Sequence, residues 1–326
     1  MKCFVTGATG HVGCVLVRQL LELGHEVSIF VRKSSNLDPV NSLSVKIIYG
    51  ELTDTDILST VISNNDIVFH IAGMIHIGSG KYKQLYNINV NGTKTIADIC
   101  LKYNKKLLYM SSVHAIRELP HGQVMKETRS FDPKPIAGTY GKTKAIATDY
   151  VLSLCKQGLD AVIVHPSGIL GPYEYRMSNI GKFIRNYANG NIPAYIDGMY
   201  NFVDVRDVCA ASINAAVSDI SNECFLLTGS EVTVMDLLDI LNKITKVKKP
   251  KLKVPYFIAL ISSFFSEWFC RLTRATMMFT PYSVKTLSSN GSFDNSKAKD
   301  MLKFNVRPVY ETINDMYVWM KENNRL

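Results

Sequence analysis

The stretch that decides the fold is Met1–Gly13, MKCFVTGATGHVG. Lys2–Val5 is predicted to form a short buried strand, and Gly7, Gly10 and Gly13 follow it at the spacing G-x-x-G-x-x-G, after which apolar residues recur at helical period. A strand that passes through glycines into a helix brings unpaired backbone N–H groups and the positive end of the helix dipole to one place, which favours a pyrophosphate. The spacing alone is a weak signal, and a purely structural turn is the alternative. Its position between a strand and a helix favours phosphate binding.

The composition indicates a folded chain. The 326 residues are 47% hydrophobic and 20% charged, which excludes a disordered chain. The net charge of +9 includes a basic stretch at Lys243–Lys253, but no basic and aromatic recognition motif accompanies it, so nucleic acid is not an expected partner. The seven cysteines form no C-x-x-C pair, and we expect buried thiols in a cytoplasmic protein with no metal site. No signal peptide is predicted, because glycines interrupt the apolar N-terminus.

Strands and helices alternate through the first half of the chain. Most predicted strands are continuous apolar runs, which is typical of a parallel sheet covered on both faces. We therefore predict an α/β fold, a Rossmann-type doubly wound parallel sheet with a smaller, mainly helical C-terminal substrate lobe. The further strands are predicted at His25–Val31, Val45–Tyr49, Asp66–Ala72, Lys106–Met110 and Ala161–His165, and helices at Tyr86–Tyr103 and Thr139–Lys156.

The regular alternation ends near residue 165. Glycine and proline become frequent, and loops are expected over 166–200. Asn201–Val208 is predicted to be a strand that leads into a helix ending near Val217, Val234–Thr245 an amphipathic helix, and 246–326 mostly helical. Residues 1–165, with 201–217 returning to them, are assigned to a dinucleotide-binding domain, and residues 166–200 and 218–326 to a substrate-binding lobe.

A second chemical feature is Tyr140-Gly141-Lys142-Thr143-Lys144. Tyr140 and Lys144, four residues apart on a predicted helix, share one face. A nearby ammonium favours the phenolate form of a tyrosine, so the pair could move a proton at a carbinol or carbonyl oxygen. Y-x-x-x-K alone is common, and an ordinary surface pair is the alternative. Its place after a dinucleotide turn and after a strand ending in Ser111-Ser112 favours a catalytic pair.

Together these motifs resemble the extended short-chain dehydrogenase/reductase family, within the NAD-dependent epimerase/dehydratase superfamily. The matching motifs run from residue 2 to residue 208 in the family's order, and residues 209–326 add only a compatible length. The further matches are His70-Ile71-Ala72-Gly73, Asn89-Val90-Asn91-Gly92-Thr93, HPSGILGP at 165–172 and FVDVRDV at 202–208.

The resemblance implies roles for individual residues. Tyr140 would be the general acid/base, and Lys144 would hold the nicotinamide ribose. Ser112 would donate a hydrogen bond to the reacting oxygen, with Ser111 as the alternative, while Asn89 would lie near the nicotinamide or cap a helix. The resemblance also implies a homodimer through helices 86–103 and 139–156. The expected cofactor-binding residues are Gly7, Thr9, Gly10, His11, Val12, Gly13, Arg32, Glu51, Leu52, Ala72, Gly73, Asn89, Tyr140, Lys144, Pro166 and Ser167.

The end of the second strand bears on the choice of cofactor. An acidic residue there would accept a hydrogen bond from the adenosine ribose 2′-OH, but Val31 occupies the position, followed by Arg32 and Lys33. Two cations fit a 2′-phosphate, so NADP(H) is predicted over NAD(H), with a merely solvated Arg32 as the alternative. After the third strand, Glu51-Leu52-Thr53-Asp54 departs from the family's Asp-Leu-x-Asp adenine contact but keeps a carboxylate.

Three departures from the family's sugar-nucleotide enzymes bear on the substrate. Val113-His114 follows Ser112 where dehydratases carry Asp-Glu, Tyr200-Asn201 precedes the FVDVRDV strand where an Arg is usual, and Val31 lacks the acid of an NAD-retaining epimerase. What remains resembles the dihydroflavonol 4-reductase and 3β-hydroxysteroid dehydrogenase branch. We expect an oxidoreductase that interconverts a ketone and a secondary alcohol on a fairly apolar small molecule. An NAD-dependent nucleotide-sugar epimerase is the alternative.

The segment Lys246–Arg274 combines a polybasic start with a largely apolar run, Val254–Cys270. A membrane span needs about 20 residues, and Pro255 and Glu267 interrupt this run. The first interpretation is an apolar helix that lines or covers the substrate pocket. The alternatives are a peripheral membrane contact through 246–274 and a buried subunit contact. The expected location is cytoplasmic, with membrane association as the alternative.

Overall fold

The structure, a computed structural model, describes residues 1–76, 80–262 and 281–326, without the side chains of 281–283. Its centre is a seven-stranded sheet in the order β10-β6-β5-β4-β1-β2-β3, and all its neighbouring strands pair in parallel. The strands are β1 (Lys2–Thr6), β2 (Glu26–Val31), β3 (Lys46–Tyr49), β4 (Ile67–His70), β5 (Lys106–Met110), β6 (Ala161–Pro166), β7 (Gly168–Leu170), β8 (Ala194–Tyr195), β9 (Met199–Asp204), β10 (Glu223–Leu227), β11 (Ser230–Thr233) and β12 (Leu252–Lys253).

Helices cover both faces of this sheet. α1 and α7 pack on one face, while α2, α4 and α5 pack on the other, so alternate strand residues such as Val5 and Phe4 belong to different core clusters. The α/β, doubly wound, Rossmann-type fold predicted from the sequence is confirmed. The helices are α1 (His11–Glu22), α2 (Thr55–Ser63), α3 (Tyr82–Tyr86), α4 (Gly92–Lys102), α5 (Thr139–Cys155), α6 (Asn179–Ala188), α7 (Val205–Val217) and α8 (Val234–Thr245), followed by Pro281–Thr286, Ser296–Leu302 and Val309–Glu322.

A smaller apolar cluster lies beside the sheet. It joins α6, α8 and the helix Val309–Glu322, with Ile184, Leu238 and Met316 fully buried between them. Two small sheets, β11-β9-β7 and β12-β8, belong to the same part of the chain. Because β9 leads directly into α7, this cluster is attached to the helical layer of the large sheet.

The order of the large sheet locates the candidate site. β1 lies between β2 and β4, so the chain leaves β1 in one direction and later returns on its other side. Thr6 pairs with Phe30 of β2 and with His70 of β4, so the carboxyl ends of these strands lie level with one another. In open parallel sheets, ligands bind beside such a reversal, outside the carboxyl ends of the strands.

The structure differs from the sequence prediction over 166–200. The predicted loops contain α6 and the short strands β7 and β8. Gly181 in the first turn of α6 indicates a loop by sequence, yet a Cβ there would lie 2.0 Å from Oε2 of the buried Glu174. Glycine is therefore present because of close packing, and α6 is a helix despite it.

The assignment of residues 218–326 to the smaller lobe is too broad. Glu223–Leu227 pairs in parallel with β6 and forms an edge of the large sheet. The helix Ser296–Leu302 also packs on the large sheet, since Ala298 and Leu302 are buried in the core cluster of α1 and α7. The apolar run of β10 is short and follows a polar loop, which explains why the pattern did not indicate a strand.

Two predicted boundaries are also wrong. The strand at Asp66–Ala72 ends at His70, because the backbone N–H of Ala72 donates to the Thr6 hydroxyl (3.3 Å) and leaves the strand ladder. The helix at Tyr86–Tyr103 begins earlier, at Tyr82, and contains one π-helical turn at Asn87–Asn91. Such turns are frequent at functional sites.

The polybasic and apolar segment lies only partly within the described residues. Residues 256–262 are helical, whereas 263–274 of the predicted contact and 263–270 of the predicted apolar run lie outside the described ranges. In the part of the chain that the structure covers, every helix is too short or too polar to cross a membrane.

Candidate active site

The glycine turn forms a closely packed cradle between β1 and α1. Gly7 has a φ of +78°, and a Cβ on it would lie 2.6 Å from the backbone nitrogen of Ala72. A Cβ on Gly13 would lie 2.1 Å from the Gly7 carbonyl oxygen. α1 begins after Gly10, which supplies no side-chain cap, so the first N–H groups of the helix face outward without a side-chain acceptor. This arrangement fits an anion such as a pyrophosphate.

The residues around the turn contribute in different ways. His11 uses its ring, with Nε2 2.9 Å from the Pro172 carbonyl oxygen, so its contribution to an anion would be its backbone N–H. Thr9 is half-buried on the turn, and Val12 packs against the core cluster of α1 and α7. The ring of His11 thereby ties the turn to the loop that follows β7.

A buried polar chain, which sequence reasoning did not assign to the site, supports this cradle. Thr93 Oγ1 donates to the Asn89 carbonyl oxygen (2.7 Å), so it accepts from His70 Nε2 (3.0 Å). Nδ1 of His70 then accepts from the Thr6 hydroxyl (2.8 Å). Burial, together with the charge of Lys144, lowers the pKa of His70 to about 3, so its ring is neutral. The only sequence signal for His70 is its place in the family motif.

Lys144 lies at the carboxyl end of β5. It is 4% exposed, donates from Nζ to the Met110 carbonyl oxygen (2.7 Å) and lies over the Tyr109 ring at 4.9 Å. A Cβ on Gly73 would lie 3.4 Å from Nζ, so the loop after β4 lies against the ammonium. Burial lowers the pKa of Lys144 to about 7. Within the described residues no carboxylate lies within 4.0 Å of it, so a polar ligand would supply contacts that this cation lacks.

The two serines after β5 have different surroundings. Thr148 Oγ1 donates to the Lys144 carbonyl oxygen (2.8 Å), so the buried Ser111 hydroxyl donates to Thr148 (2.7 Å). Ser112 Oγ accepts from the His114 N–H (3.3 Å), which leaves its hydroxyl hydrogen to donate elsewhere. This geometry favours Ser112 over Ser111 as the donor to a reacting oxygen.

Tyr140 lies half-buried in the first turn of α5, beside His114. The two rings are 6.1 Å apart, edge to face, and Nε2 of His114 is 2.8 Å from the Tyr200 hydroxyl. Burial lowers the pKa of His114 to about 4, so the ring is neutral. Because His114 touches Ser112 through its backbone and Tyr140 through its ring, it connects the two predicted catalytic residues. Tyr200 was missed as a member of the site.

Asn89 holds the loop after β4. Its Oδ1 accepts from the Met74 N–H (2.7 Å), and its Nδ2 donates to the Met74 carbonyl oxygen (3.0 Å) and to Thr143 Oγ1 (3.1 Å). It lies inside the π-helical turn, so the alternative of a helix cap is wrong. Both N–H groups of its amide are used within the protein, and it ties the loop after β4 to α5, the helix that carries Lys144.

The ends of β2 and β3 lie side by side at the edge of the predicted adenosine site. The N–H of Gly50 donates to the Val31 carbonyl oxygen (3.1 Å), so Arg32 and Glu51, both exposed, follow neighbouring strand ends. Lys33 is exposed as well. Leu52 packs inward, where a Cβ on Gly92 would lie 2.6 Å from its Cδ1.

A buried hydroxyl group without a hydrogen-bond partner among the described residues lies just after β6. Ser167 is 8% exposed, and its hydroxyl has no hydrogen-bond partner in the described structure, whereas its N–H donates to the Leu227 carbonyl oxygen (3.3 Å). The neighbouring Pro166 ends β6, and Ala72 and Gly73 face Gly7 and Lys144 respectively. The glycine cradle, the uncapped helix and these polar groups fit a dinucleotide. Among the residues described, no group of three His, Cys, Asp or Glu side chains could hold a metal ion.

The chain is similar to known proteins over its whole length. The profile of the NAD dependent epimerase/dehydratase family matches residues 3–223. Sterol demethylase protein B of Methylococcus capsulatus is 30% identical over 331 residues, 100% of each chain. A putative dihydroflavonol 4-reductase of Synechocystis is 29% identical over 98% of this chain and 94% of its own, and the decarboxylating sterol-4-alpha-carboxylate 3-dehydrogenase of Saccharomyces cerevisiae is 24% identical over 98% and 97%.

Solved structures share the whole architecture. The crystal structure of gox2253 has a TM-score of 0.86 and 29% identity, over 100% of this chain and 99% of that one. The UDP-glucose 4-epimerase of Thermotoga maritima, solved with UDP-glucose, has a TM-score of 0.81 at 20% identity over 99% and 100%, which indicates a shared fold alone.

Proposed function

Because the chain belongs to the NAD dependent epimerase/dehydratase family, we propose that it interconverts a ketone and a secondary alcohol on a fairly apolar, sterol-like or dihydroflavonol-like molecule, with NADP(H) as the preferred cofactor. Family members bind NAD(P), and the chain is an NAD(P)-dependent oxidoreductase that acts on CH–OH groups. The substrate class and the cofactor preference are the proposal. The observation that carries the proposed reaction is that Ser112 and Tyr140 both contact His114, while Lys144 lies against Gly73, next to Ala72, which packs on Gly7 of the glycine cradle.

Each residue of this group has a distinct task. When bound, the nicotinamide cofactor supplies or accepts the hydride. Tyr140 gives a proton to the substrate oxygen in the direction of reduction and takes it back in oxidation. The Ser112 hydroxyl donates to the same oxygen and fixes its position. Lys144, held at the Met110 carbonyl, favours the deprotonated form of Tyr140 through its charge and offers its remaining N–H groups to ribose hydroxyls.

The substrate proposal rests on what lines the site and on the relatives. His114, the residue that contacts Tyr140, is neutral and bound to Tyr200, so neither it nor Val113 supplies the acid and base pair that water elimination requires. Full-length relatives carry sterol and dihydroflavonol names. A neutral aromatic wall fits an apolar ring system better than a nucleotide diphosphate.

The proposed activity is tested in both directions. NADPH oxidation is measured with a panel of 3-ketosteroids and dihydroflavonols, and NADP⁺ reduction is measured with 3β-hydroxysteroids. We expect Tyr140→Phe to lower kcat by about 100-fold or more while the affinity for NADPH changes little. Tyr150→Phe is the matched control, because Tyr150 lies on the same helix and its hydroxyl donates to Asp98 Oδ1 at the surface (2.6 Å). Conversion of UDP-glucose with no net oxidation, and copurified NAD(H), would instead favour the epimerase alternative.

The cofactor preference is tested separately at the end of β2. We expect Arg32→Glu to lower kcat/KM for NADPH about tenfold, through loss of a cation beside the 2′-phosphate, and to leave kcat/KM for NADH nearly unchanged. Lys46→Glu is the control, since Lys46 is exposed at the opposite end of β3 and carries the same charge. Equal effects of Arg32→Glu on the two cofactors would overturn the preference and leave the proposed reaction intact.

A further inference from the structure

A basic and apolar surface lies far along the chain from the catalytic residues. We define the basic–apolar surface as the exposed side chains of residues 246–262. It begins where α8 ends, with Lys246 in the left-handed conformation at a φ of +63°. The strand pair β12-β8 and a hydrogen bond from the Val254 N–H to the Tyr195 carbonyl oxygen (2.8 Å) hold the segment on the fold. Its exposed side chains are therefore presented from a fixed backbone.

The first half of this surface is rich in positive charge. Its five lysines are all exposed, and the segment contains no acidic residue. Lys249 pairs with Asp239, and Lys253 pairs with Asp197 at 2.5 Å. For Lys246, Lys248 and Lys251, none of the described carboxylates lies within 4.0 Å. These three cations remain for an anionic partner.

The second half is apolar on its outer side. Phe257 is 70% exposed, Ile258 56% and Ile261 42%, and their spacing of i, i+1 and i+4 places them on one face of the helical residues 256–262. Leu252, which lies between two lysines, is 63% exposed. The opposite face is held in place, because Ala259 is buried against Ile196 and Val284. The described part of this segment therefore turns large apolar side chains outward.

We propose that the basic–apolar surface docks this protein on a membrane that contains anionic lipid. Exposed lysines beside exposed aromatic and branched apolar side chains match the boundary between lipid headgroups and acyl chains. The lysines attract the anionic headgroups, and Phe257, Ile258 and Ile261 enter the acyl boundary. Two such signals together hold a protein where either alone is weak. In this proposal residues 246–262 lie along the membrane surface, and among the described residues no helix is long and apolar enough to cross a bilayer.

Lipid fits this surface better than a folded protein partner does. The apolar side chains project from the helical residues 256–262 and are flanked by lysines on the N-terminal side. Residues 246–262 contain no carboxylate that would set the register of a protein interface. The proposal does not depend on the reaction assigned above. Docking would also bring the candidate active site close to the lipid bilayer, in which an apolar substrate dissolves.

Sedimentation with lipid vesicles tests the proposal on the full chain. We expect binding to phosphatidylcholine vesicles that contain phosphatidylserine, weaker binding to phosphatidylcholine alone, and weakening by salt. Lys246→Glu/Lys248→Glu/Lys251→Glu and, separately, Phe257→Ser/Ile261→Ser should each lower the affinity about tenfold or more. The matched controls are Lys299→Glu/Lys303→Glu/Lys321→Glu, which changes the net charge equally, and Leu23→Ser, at an exposed leucine on α1's end.

The outcomes separate lipid docking from other uses of this surface. Unchanged circular dichroism and NADPH binding show that each variant is folded. No binding to any vesicle, or equal loss in the control variants, overturns the proposal. A shift from dimer to monomer in Phe257→Ser/Ile261→Ser without vesicle binding by the parent chain also overturns it and assigns the surface to a contact between copies. The NADPH assay is independent, so failure here leaves the proposed reaction standing.

Discussion

Lys144 is a cation whose surroundings are those of the protein interior. Among the described residues its Nζ has one acceptor, the Met110 carbonyl oxygen, and it contacts the face of Tyr109. Burial therefore lowers the pKa of Lys144 from its ordinary value of 10.5 to about 7. Between about pH 7 and pH 10.5 the Lys144 amine keeps its proton in the unfolded chain and loses it in the folded chain without cofactor. This difference in proton binding makes stability depend on pH.

The pH dependence is tested by the variant Lys144→Met. Between about pH 7 and pH 10.5 the unfolded state binds more protons at this residue, so the free energy of unfolding attributable to Lys144 rises with pH, by at most ~1.4 kcal/mol per unit. We expect the difference in unfolding free energy between wild type and Lys144→Met, measured by denaturant titration, to follow this rise and to be flat below about pH 7. Lys142→Met, exposed on the same helix, should show no such rise. A flat difference throughout would contradict the buried cation.

Single residues were predictable where a local pattern encodes them. The spacing of Tyr140 and Lys144 on one helix face, and of the glycines in the turn, is written into short stretches. Tyr200 was not predictable, because it is 86 residues from His114, and the same holds for Thr6 and His70, which are 64 residues apart. Thr6 and His70 meet through strand register, and His114 and Tyr200 meet through the packing of separate elements, neither of which the pattern of one segment contains.

At the scale of elements, the turn from β1 to α1 depends on close backbone contact. The Gly7 carbonyl oxygen accepts from the Gly10 N–H (3.0 Å), and the same oxygen lies where a Cβ on Gly13 would fall. The atoms that a Cβ on Gly13 would meet, in Gly7 and Ala8, all belong to the backbone. A side chain at position 13 would therefore move α1 away from β1. The anion cradle and the packing of α1 are thus one feature.

Gly13→Ala tests this coupling. We expect a loss of about 1–3 kcal/mol or more in the free energy of unfolding, because the contact cannot be relieved by a side-chain rotation, together with a large loss of affinity for NADPH and NADH alike. Gly291→Ala is the control, since the nearest atom to a Cβ there would be 3.7 Å away. Fluorescence titration with the cofactor and denaturant unfolding measure the two effects. Unchanged cofactor affinity in a destabilised Gly13→Ala would show that packing and binding are separate.

Among the elements, strong periodic runs were predicted well and interrupted ones were not. β5 and α8 have the predicted bounds, because each is one uninterrupted apolar or amphipathic run. α6 was missed because Gly181 serves packing against Glu174, a tertiary requirement that has no signal in the local pattern. The π-helical turn at Asn87–Asn91 likewise depends on the partner Met74.

At the scale of the whole molecule, a buried ionic cluster joins the sheet layer to the smaller apolar cluster. Asp204 caps α7 and accepts from the Arg206 N–H (2.8 Å), Nε (2.9 Å) and Nη2 (2.7 Å). Nη1 of Arg206 reaches Asp315 Oδ2 (2.7 Å) on the helix Val309–Glu322. Arg307 adds a second cation 3.4 Å from Asp204. Asp204 therefore connects α7 with the chain segment that closes the smaller cluster.

Asp204→Asn should destabilise the molecule far more than the matched variant Asp315→Asn. The Asp204 side chain is fully buried, whereas that of Asp315 is 40% exposed. Loss of the first carboxylate leaves two partly buried guanidinium groups with weaker acceptors and should lower the free energy of unfolding by about 3–5 kcal/mol at neutral pH, whereas the exposed pair should contribute about 0–1 kcal/mol.

The unfolding free energies of the same two variants at low pH test whether Asp204 is ionised in the folded chain. Burial alone would raise the pKa of Asp204, but the hydrogen bonds and charge of Arg206 outweigh it and hold the pKa below its ordinary value. The stability that Asp204 contributes is therefore present above the ordinary pKa and is lost as the pH falls through the lowered one. We expect the gap between wild type and Asp204→Asn, followed by circular dichroism in denaturant, to narrow in acid while the gap for Asp315→Asn stays small. A gap that widens in acid would mean that Asp204 is protonated in the folded chain, and the cluster would then be held by Arg206 and Asp315 alone.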